Sequence, residues 1–238
     1  DLIGMFSFAI YNKVTNSLFL ARDHFGIKPV FYVQLAGGLA FSSELKTLAQ
    51  IPGFDKTINA KSLVSSLNYL WVSGNETMFK GCNKLPAAHY LTYSKEGDMH
   101  MARYWELEEP KLNSITNNEE AVKEELAKVL ELSVKRHMVA DVPVSSFLSG
   151  GLDSSLIAVL AKKSNQSLST YTISTGAEDR KIEMMPDDLK YAKWVADNYQ
   201  LDHHVIEIKP DILKDFPKMV RTLDEPIGDP AAINTFLI

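Results

Sequence analysis

Short apolar runs separated by polar turns fill the first half of the chain and predict β-strands. One pair of runs flanks Gly37-Gly38 and another flanks Glu96-Gly97-Asp98, which is the pattern of β-hairpins. The predicted strands cover residues 6–11, 17–21, 30–33, 39–41, 89–93 and 100–105, and short helices are predicted near residues 44–48 and 60–69. This half of the chain should therefore consist mainly of antiparallel sheet.

The spacing of the apolar residues changes in the second half of the chain. A four-residue spacing predicts one face of a long amphipathic helix, formed by Val122, Leu126, Leu130, Val134 and Met138. Strands and helices then alternate, with strands at 143–148, 168–174 and 203–208 and helices at 154–163, 188–199 and 211–223. This alternation is typical of a parallel, doubly wound sheet, in which ligands bind beyond the carboxyl ends of the strands.

The two patterns meet in a charged segment that contains Pro110 and several asparagines, and this segment is the predicted linker. The predicted domains are therefore residues 1–107 and 118–238, joined by residues 108–117. The expected fold is an α+β part with antiparallel sheet, followed by an α/β part with a doubly wound parallel sheet. Both ends of the chain lie within strand-like or apolar sequence, so we expect both parts to be truncated.

Composition narrows the classes of protein to which the chain can belong. Its 238 residues are 45% hydrophobic, which is enough for two modest domains. The net charge is −5, and no stripe of lysine and arginine predicts a nucleic-acid partner. The single cysteine, Cys82, fits a reducing cytoplasm, and no apolar run approaches the roughly 20 residues of a membrane span.

The sequence Ser-Gly-Gly-Leu-Asp-Ser-Ser at residues 149–155 is the strongest chemical signal. A predicted strand leads into it and a predicted helix leads out of it. The two glycines allow a tight curl whose N–H groups can face an anion, and the helix N-terminus adds partial positive charge. The hydroxyls of Ser149, Ser154 and Ser155 can donate hydrogen bonds, and Asp153 can hold Mg²⁺. We therefore predict a nucleotide phosphate site.

The alternative for this segment is a glycine-rich turn with serine caps and no ligand. The segment is not a Walker loop, because no Gly-Lys-Ser or Gly-Lys-Thr follows it. It resembles the pyrophosphate loop of the ATP pyrophosphatases, which cleave ATP between the α and β phosphates. The aspartate, the flanking serines and the preceding strand favour the nucleotide interpretation.

Nearly the whole chain resembles the glutamine-dependent asparagine synthetases of the bacterial B type. The match is specific because the phosphate loop occurs together with an Arg-Asp-x-x-Gly-x-Lys-Pro stretch at residues 22–29. The other matching stretches are residues 4–9, 41–46 and 84–87 in the first half and residues 141–155, 185–192, 203–204 and 224–226 in the second half.

The resemblance implies a fold and a reaction. The fold would be the second half of a glutaminase sandwich of the N-terminal-nucleophile class, joined to the first half of an ATP-binding domain of the ATP pyrophosphatase type. In the reaction, ATP and Mg²⁺ would bind on the loop, and aspartate would form a β-aspartyl-adenylate with release of pyrophosphate. Ammonia from glutamine would then displace AMP. The implied partners are these small molecules in the cytoplasm, and a homodimer is compatible with the resemblance.

The resemblance also implies individual site residues. Main-chain groups at the ends of the first two parallel strands would contact the nucleotide, so the expected ATP-binding set is Leu148, Ser149, Gly150, Gly151, Leu152, Asp153, Ser154, Ser155 and Ile173. Asp153 is also the expected Mg²⁺ ligand. Three further carboxylates, Asp224, Glu225 and Asp229, could bind Mg²⁺ or the amino-acid substrate, or could serve a helix-terminal turn.

No glutaminase nucleophile is expected within this chain. In the family, that nucleophile is an N-terminal cysteine activated by its own α-amine, whereas Cys82 is internal and is interpreted as a small, half-buried hydrophobic residue. The family's second acidic glycine loop would follow Ile238. The chain by itself is therefore expected to be inactive, and the ligase activity is assigned to the full-length protein.

Two alternatives to asparagine synthesis stay open. A related amide synthetase could use the same loops with a different carboxylate acceptor. A non-catalytic nucleotide-binding protein could have kept the fold. Among other polar residues, Arg22 and Asp23 are interpreted as an ion pair that caps a turn. His203 and His204 have no Cys or Glu at ligand spacing, so no metal site is predicted there.

Overall fold

The computed structural model describes residues 2–109, 118–174, 188–209 and 211–237. The contacts within it divide the chain into two compact units. The first unit comprises Asp1–Glu109 and Ile212–Phe236, and the second comprises Pro110–Asp211 and Leu237–Ile238.

The division by contacts differs from the domains expected from the sequence pattern. The strand–helix alternation continues through residues 211–223, but Ile212–Phe236 makes its contacts with the first unit. Most of the predicted linker, residues 110–117, lies outside the described residues. So do residues 185–187 of the family-like stretch. The predicted domain boundaries therefore stay a prediction.

Seven strands form two antiparallel sheets in the first unit, as the hairpin patterns predict. The strands are β1 (Ser7–Asn12), β2 (Ser17–Arg22), β3 (Phe31–Leu35), β4 (Gly38–Ser42), β5 (Cys82–Lys84), β6 (His89–Tyr93) and β7 (Met99–Arg103). One sheet has the order β1-β2-β6-β7 and the other has the order β4-β3-β5. The sequence pattern does not predict β5, because its three residues are too few to show an alternation of apolar and polar positions.

Strand β3 shows how the two sheets share a core. Successive side chains of a strand point to opposite faces. Tyr32 packs in a buried cluster with Leu20 and Leu91, which belong to the four-stranded sheet. Phe31 and Val33 point the other way, into a second cluster. One face of the small sheet therefore packs on the larger sheet, and its other face packs on a helix.

Seven helices complete the described elements. They are α1 (Leu45–Leu48), α2 (Ala60–Tyr69), α3 (Glu119–His137), α4 (Leu152–Ser164), α5 (Asp188–Tyr199), α6 (Ile212–Thr222) and α7 (Ala231–Phe236). Helix α1 supplies Leu45 and Leu48 to the second cluster of the first unit. The side chain of Asn59 caps α2 by accepting from the N–H groups of Lys61 and Ser62. No helix of the described segments has the length and apolar character needed to cross a membrane.

The second unit contains a parallel sheet, as the alternation of strands and helices predicts. Strands β8 (Ser145–Phe147), β9 (Ser169–Ser174) and β10 (Asp202–Glu207) lie side by side in the order β10-β9-β8. Helices α4 and α5 pack on this sheet, and their buried alanines surround Leu148 and Leu201. The doubly wound arrangement stays a prediction, because the three described strands follow one another in chain order.

Candidate functional site

The phosphate-loop candidate begins at a fixed point, Leu148, directly after β8. Its side chain is fully buried, and its N–H donates to the carbonyl of Tyr171 on β9 at 2.8 Å. The hydroxyl of Thr172, also on β9, donates to the Leu148 carbonyl. The loop therefore leaves the sheet from a residue that is bonded on both of its backbone polar groups.

The two glycines of the loop have different structural roles. Gly150 has a φ of +77°, and a Cβ on it would lie 2.6 Å from the backbone nitrogen of Ala192 and 2.7 Å from the Cβ of Tyr191. Only glycine fits this position, because both the backbone conformation and the packing of α5 exclude a side chain. Gly151 is the N-cap of α4 with a φ of −69°, and a Cβ there would lie 3.4 Å from Ser149 Oγ, an ordinary contact. The conformation of the curl therefore requires glycine at residue 150 but not at residue 151.

The loop hydroxyls hold the curl from inside. Ser149 Oγ and Ser154 Oγ lie 2.9 Å apart, and Ser154 Oγ donates to the Gly151 carbonyl at 3.2 Å. The N–H of Ser149 donates to Ser154 Oγ at 3.3 Å. Ser155 Oγ is buried, and within the described residues it has no hydrogen-bond partner. A buried hydroxyl without a partner is costly, so Ser155 is the loop hydroxyl with most to gain from a ligand.

The start of α4 supplies backbone donors to the same place. The first helical hydrogen bond runs from the N–H of Ser155 to the Gly151 carbonyl at 3.0 Å. The N–H groups of residues 152–154 precede it, and in any α-helix such groups have no carbonyl partner within the helix. Donors of this kind at a helix N-terminus form an anion site.

Asp153 lies in the first turn of α4 and is exposed to solvent. Mg²⁺ prefers hard oxygen ligands such as a carboxylate. No cluster of three or more His, Cys, Asp or Glu side chains suited to a metal occurs among the residues described. The assignment of Asp153 to Mg²⁺ stays a prediction.

Ile173 lies one strand away from the loop, near the carboxyl end of β9. The register pairs Phe147 with Tyr171, so Leu148 and Ile173 meet at the same edge of the sheet. The sequence thus predicts a set of ATP contacts that the fold brings together at the carboxyl edge, where parallel sheets bind ligands. Thr172, which bonds the Leu148 carbonyl, was missed. The polar pair Thr170 and Thr172 on one buried face of a strand is the signal that could have revealed it.

The three other candidate carboxylates lie in the first unit. Asp224 accepts a hydrogen bond from the backbone N–H of Lys46 at 3.1 Å, and Glu225 pairs with Lys84 at 2.6 Å. Asp229 accepts from the N–H of residue 231 at 2.8 Å, which is turn chemistry at the start of α7. Their assignment to Mg²⁺ or to the amino-acid substrate stays a prediction, and the observed contacts favour a structural role for them.

Asp23 and Arg22 both bind the backbone of the loop at residues 25–28, and Arg22 also binds Leu85. Asp23 is 1% exposed and accepts hydrogen bonds from the N–H groups of Phe25, Ile27 and Lys28. Burial raises the pKa of its carboxyl, but these N–H groups outweigh that effect and lower the pKa below its ordinary value. The Arg22 guanidinium donates to three carbonyls, those of Gly26, Lys28 and Leu85. The expected ion pair is thus replaced by separate bonds to the backbone.

Cys82 is buried, and His203 and His204 each contact a polar side chain. Cys82 is 1% exposed, and burial raises the pKa of its thiol to about 11. A thiol of this kind is a poor nucleophile at neutral pH. His203 lies 3.2 Å from the Thr170 hydroxyl, and burial lowers its pKa. His204 Nε2 lies 3.1 Å from a carboxylate oxygen of Asp202.

Two protein-family models match the chain. Residues 1–105 match the model of the glutamine amidotransferase domain, and residues 125–238 match the model of asparagine synthase. Residues 106–124, which lie between the two matches, include the predicted linker at residues 108–117.

Several proteins named as glutamine-hydrolysing asparagine synthetases are similar to this chain. Three proteins of Bacillus subtilis (strain 168), the glutamine-hydrolysing asparagine synthetases 1, 2 and 3, are 32%, 34% and 31% identical to this chain over 100%, 87% and 94% of it. The chain covers 36%, 28% and 38% of those proteins, well under half of their length. The amidase chyE of Penicillium rubens is 33% identical over 66% of this chain and 23% of its own length.

One solved structure aligns with most of the chain. The glutamine-dependent NAD+ synthetase of Acinetobacter baumannii, in complex with ADP, aligns with 98% of this chain and 55% of that one at 10% identity. The TM-score of 0.35 is too low to indicate a shared fold.

Proposed function

Because the chain belongs to the glutamine-hydrolysing asparagine synthetase family, we propose that the full-length protein makes asparagine from aspartate, glutamine and ATP. The observation that carries this proposal is the loop at residues 149–155. It combines N–H groups that have no carbonyl partner within their helix, a buried hydroxyl without a partner among the described residues, and an exposed carboxylate at the carboxyl edge of a parallel sheet. These are the groups that a nucleotide triphosphate requires.

In this proposal the loop binds the two outer phosphates of ATP. The N–H groups of residues 152–154 and the hydroxyl of Ser155 donate to phosphate oxygens. The hydroxyls of Ser149 and Ser154 would do so by exchanging their bonds within the loop for bonds to phosphate. Asp153 is the residue that would hold Mg²⁺, which when bound would neutralise part of the phosphate charge. Main-chain groups of Leu148 and Ile173 would border the adenosine end. Thr172 keeps the Leu148 carbonyl in place and so positions the start of the loop.

The proposed reaction has two steps. A side-chain carboxylate oxygen of aspartate attacks the α-phosphorus of ATP, and the bond to the leaving pyrophosphate breaks. Ammonia then attacks the carbonyl carbon of the β-aspartyl-adenylate, and AMP leaves while the amide forms. Neither step needs a nucleophile from the protein, so its task is to orient the reactants and to stabilise charge. Glutamine hydrolysis supplies the ammonia, and it must use a nucleophile other than Cys82, whose thiol is buried and protonated.

The experiment is an end-point assay of the full-length protein with ATP, Mg²⁺, aspartate and glutamine. We expect AMP, pyrophosphate, glutamate and asparagine, with pyrophosphate release that depends on aspartate. Formation of ADP and orthophosphate would contradict the assignment of the loop. Binding of ATP without any product would favour the non-catalytic alternative.

The second candidate is a related amide synthetase that uses a different carboxylate acceptor. It is favoured by one observation, which is that 66% of this chain is similar to a protein named an amidase. The same assay with a panel of carboxylic acids distinguishes the two candidates. Asparagine synthesis predicts that aspartate is the acid that most strongly stimulates pyrophosphate release. Stimulation by another acid, with none by aspartate, would support the second candidate.

A further inference from the structure

The turn formed by residues 224–228, here named the acidic turn, is held within the first unit by a secluded ion pair, that is, one whose two side chains are both largely buried. Lys84 Nζ lies 2.6 Å from Glu225 Oε2, and the two side chains are only 17% and 12% exposed. Each partner has another bond. Glu225 Oε1 accepts from the N–H of Met78 at 2.9 Å, and Lys84 Nζ donates to the carbonyl of Val72 at 2.9 Å. Such satisfaction is what a buried ion pair requires in order not to destabilise the fold.

Other contacts hold both ends of the acidic turn. At its start, Asp224 accepts from the N–H of Lys46 at 3.1 Å, and Lys46 Nζ donates to the Thr222 carbonyl at 2.7 Å. At its end, the N–H of Gly228 donates to the carbonyl of Leu70 at 2.7 Å. Four separate segments of the first unit therefore converge on five residues, and the turn has a single defined position.

The Lys84–Glu225 pair differs from the other ion pairs of the described residues. In each of those, at least one side chain is 40% or more exposed, as in the pair of Lys61 and Glu76 at 81% and 44%. Exposed ion pairs contribute little to the stability of the fold. Two largely buried charges that bind each other and one backbone group apiece favour one arrangement, because any other would leave a charge with little solvent and without its partner.

The partners of this ion pair come from different family regions. Lys84 and Met78 lie within residues 1–105, which match the glutamine amidotransferase domain. Glu225 lies within residues 125–238, which match asparagine synthase. The pair therefore ties a turn of the amide-forming region to the region assigned to glutamine hydrolysis. An enzyme that makes ammonia in one region and uses it in another gains from such a tie, because glutamine hydrolysed out of step is wasted.

We propose that Lys84 and Glu225 are positioning residues that couple glutamine hydrolysis to amide formation by fixing the acidic turn on the amidotransferase region. This proposal rests on the function proposed above. It assigns Glu225 to anchoring rather than to Mg²⁺, since both of its carboxylate oxygens already have partners.

The test uses two variants of the full-length protein and compares glutamate formed with pyrophosphate released. Glu225→Gln retains the shape of the side chain and an acceptor for the Met78 N–H but removes the charge, and Lys84→Met removes the other charge. We expect the ratio of glutamate to pyrophosphate to rise on the order of fivefold, a common size for coupling between sites. Amide synthesis from free ammonia should stay within about twofold of the unchanged protein, because the phosphate loop is untouched.

The control and the double variant decide whether the pair acts as a unit. Lys61→Met removes an exposed ion pair of the same unit and should leave the ratio unchanged. The double variant with both Lys84→Met and Glu225→Gln should raise the ratio no further than either single change, because residues that act through one interaction are not additive. If Lys84→Met fails to fold, Glu225→Gln carries the test alone. A ratio in folded Glu225→Gln equal to that of the unchanged protein would overturn the proposal. If the unchanged protein releases no pyrophosphate with glutamine and aspartate, the proposed function fails, whatever the variants do.

Discussion

The phosphate loop at residues 149–155 and the acidic turn at residues 224–228 both present carboxylates near the end of a helix, but the two regions leave different groups available. In the loop, Asp153 is exposed, and the N–H groups of residues 152–154 precede the first bond of the helix. In the acidic turn, Asp224 and Glu225 already bind backbone N–H groups and lysines. A ligand site is therefore recognised by polar groups that lack hydrogen-bond or ion-pair partners, and not by residue type alone.

The largest effect on stability should come from breaking the secluded pair of the acidic turn. Lys84→Met leaves the largely buried Glu225 carboxylate without its cation, which costs up to about 3–5 kcal/mol of folding free energy, the range for buried pairs. The matched change Lys61→Met removes an exposed pair and should cost less than about 1 kcal/mol. Urea denaturation of the three proteins measures the difference. Equal losses in the two variants would mean that seclusion does not distinguish the pairs.

The next effect concerns the phosphate loop and its two glycines. Gly150→Ala would place a Cβ 2.6 Å from the backbone nitrogen of Ala192 at a φ of +77°, so a cost of about 2–4 kcal/mol is expected from strain and overpacking. Gly151→Ala meets only an ordinary contact with Ser149 Oγ and should cost less than about 1 kcal/mol. Thermal unfolding of both variants tests this order. A Gly151→Ala variant less stable than Gly150→Ala would show that the loop has another conformation.

Asp23 adds a further case, because the partners of its carboxylate are all backbone N–H groups. Its pKa is lowered in the folded state, so its stabilisation is present at neutral pH and is lost as the pH falls from about 4 through the folded pKa. Asp23→Asn should therefore cost about 1–3 kcal/mol at pH 7, because an amide cannot accept all three bonds. The difference between the two proteins should shrink toward pH 3.

The pH dependence of Asp23 needs a carboxylate of similar chemistry as its control. Asp55 also has a lowered pKa, caused first by a hydrogen bond from the Thr57 side chain, but it is exposed. Asp55→Asn should change stability much less than Asp23→Asn at pH 7. A stability difference for Asp23→Asn that stays constant from pH 7 to pH 3 would contradict the assigned cause of its pKa shift.

The smallest effect on stability is expected at Asp153, where a substitution should instead weaken ligand binding. Its carboxylate is exposed, so Asp153→Asn should change the folding free energy by no more than about 0.5 kcal/mol. Under the proposed function, the same change should weaken binding of Mg²⁺ and ATP about tenfold, which corresponds to the loss of one charge-assisted contact. Titration calorimetry with and without Mg²⁺ measures this. Unchanged binding would show that Asp153 is not a ligand of Mg²⁺, and the phosphate contacts of the loop would then need their own test.

Local sequence patterns predicted most of the elements. The strands at 6–11 and 17–21 are confirmed as the antiparallel pair β1 and β2, and the helix at 60–69 is confirmed as α2. The alternation that follows residue 143 is confirmed as parallel strands. These predictions succeed because hydrophobic periodicity reports which side of each element is buried. Strand β5 was missed, because three residues are too short to show a period.

Local sequence is enough to locate a strand, a glycine-rich curl and a helix start, and hence the place where an anion could bind. Which glycine is indispensable depends on packing, because Gly150 is confined by α5, an element that follows much later in the chain. Packing also decides which carboxylates are available. Glu225 is satisfied by Lys84 and Met78, and the distance in sequence between such partners hides the contact from any local pattern. Periodicity reports the environment of each residue, whereas the choice of partner depends on how distant segments pack.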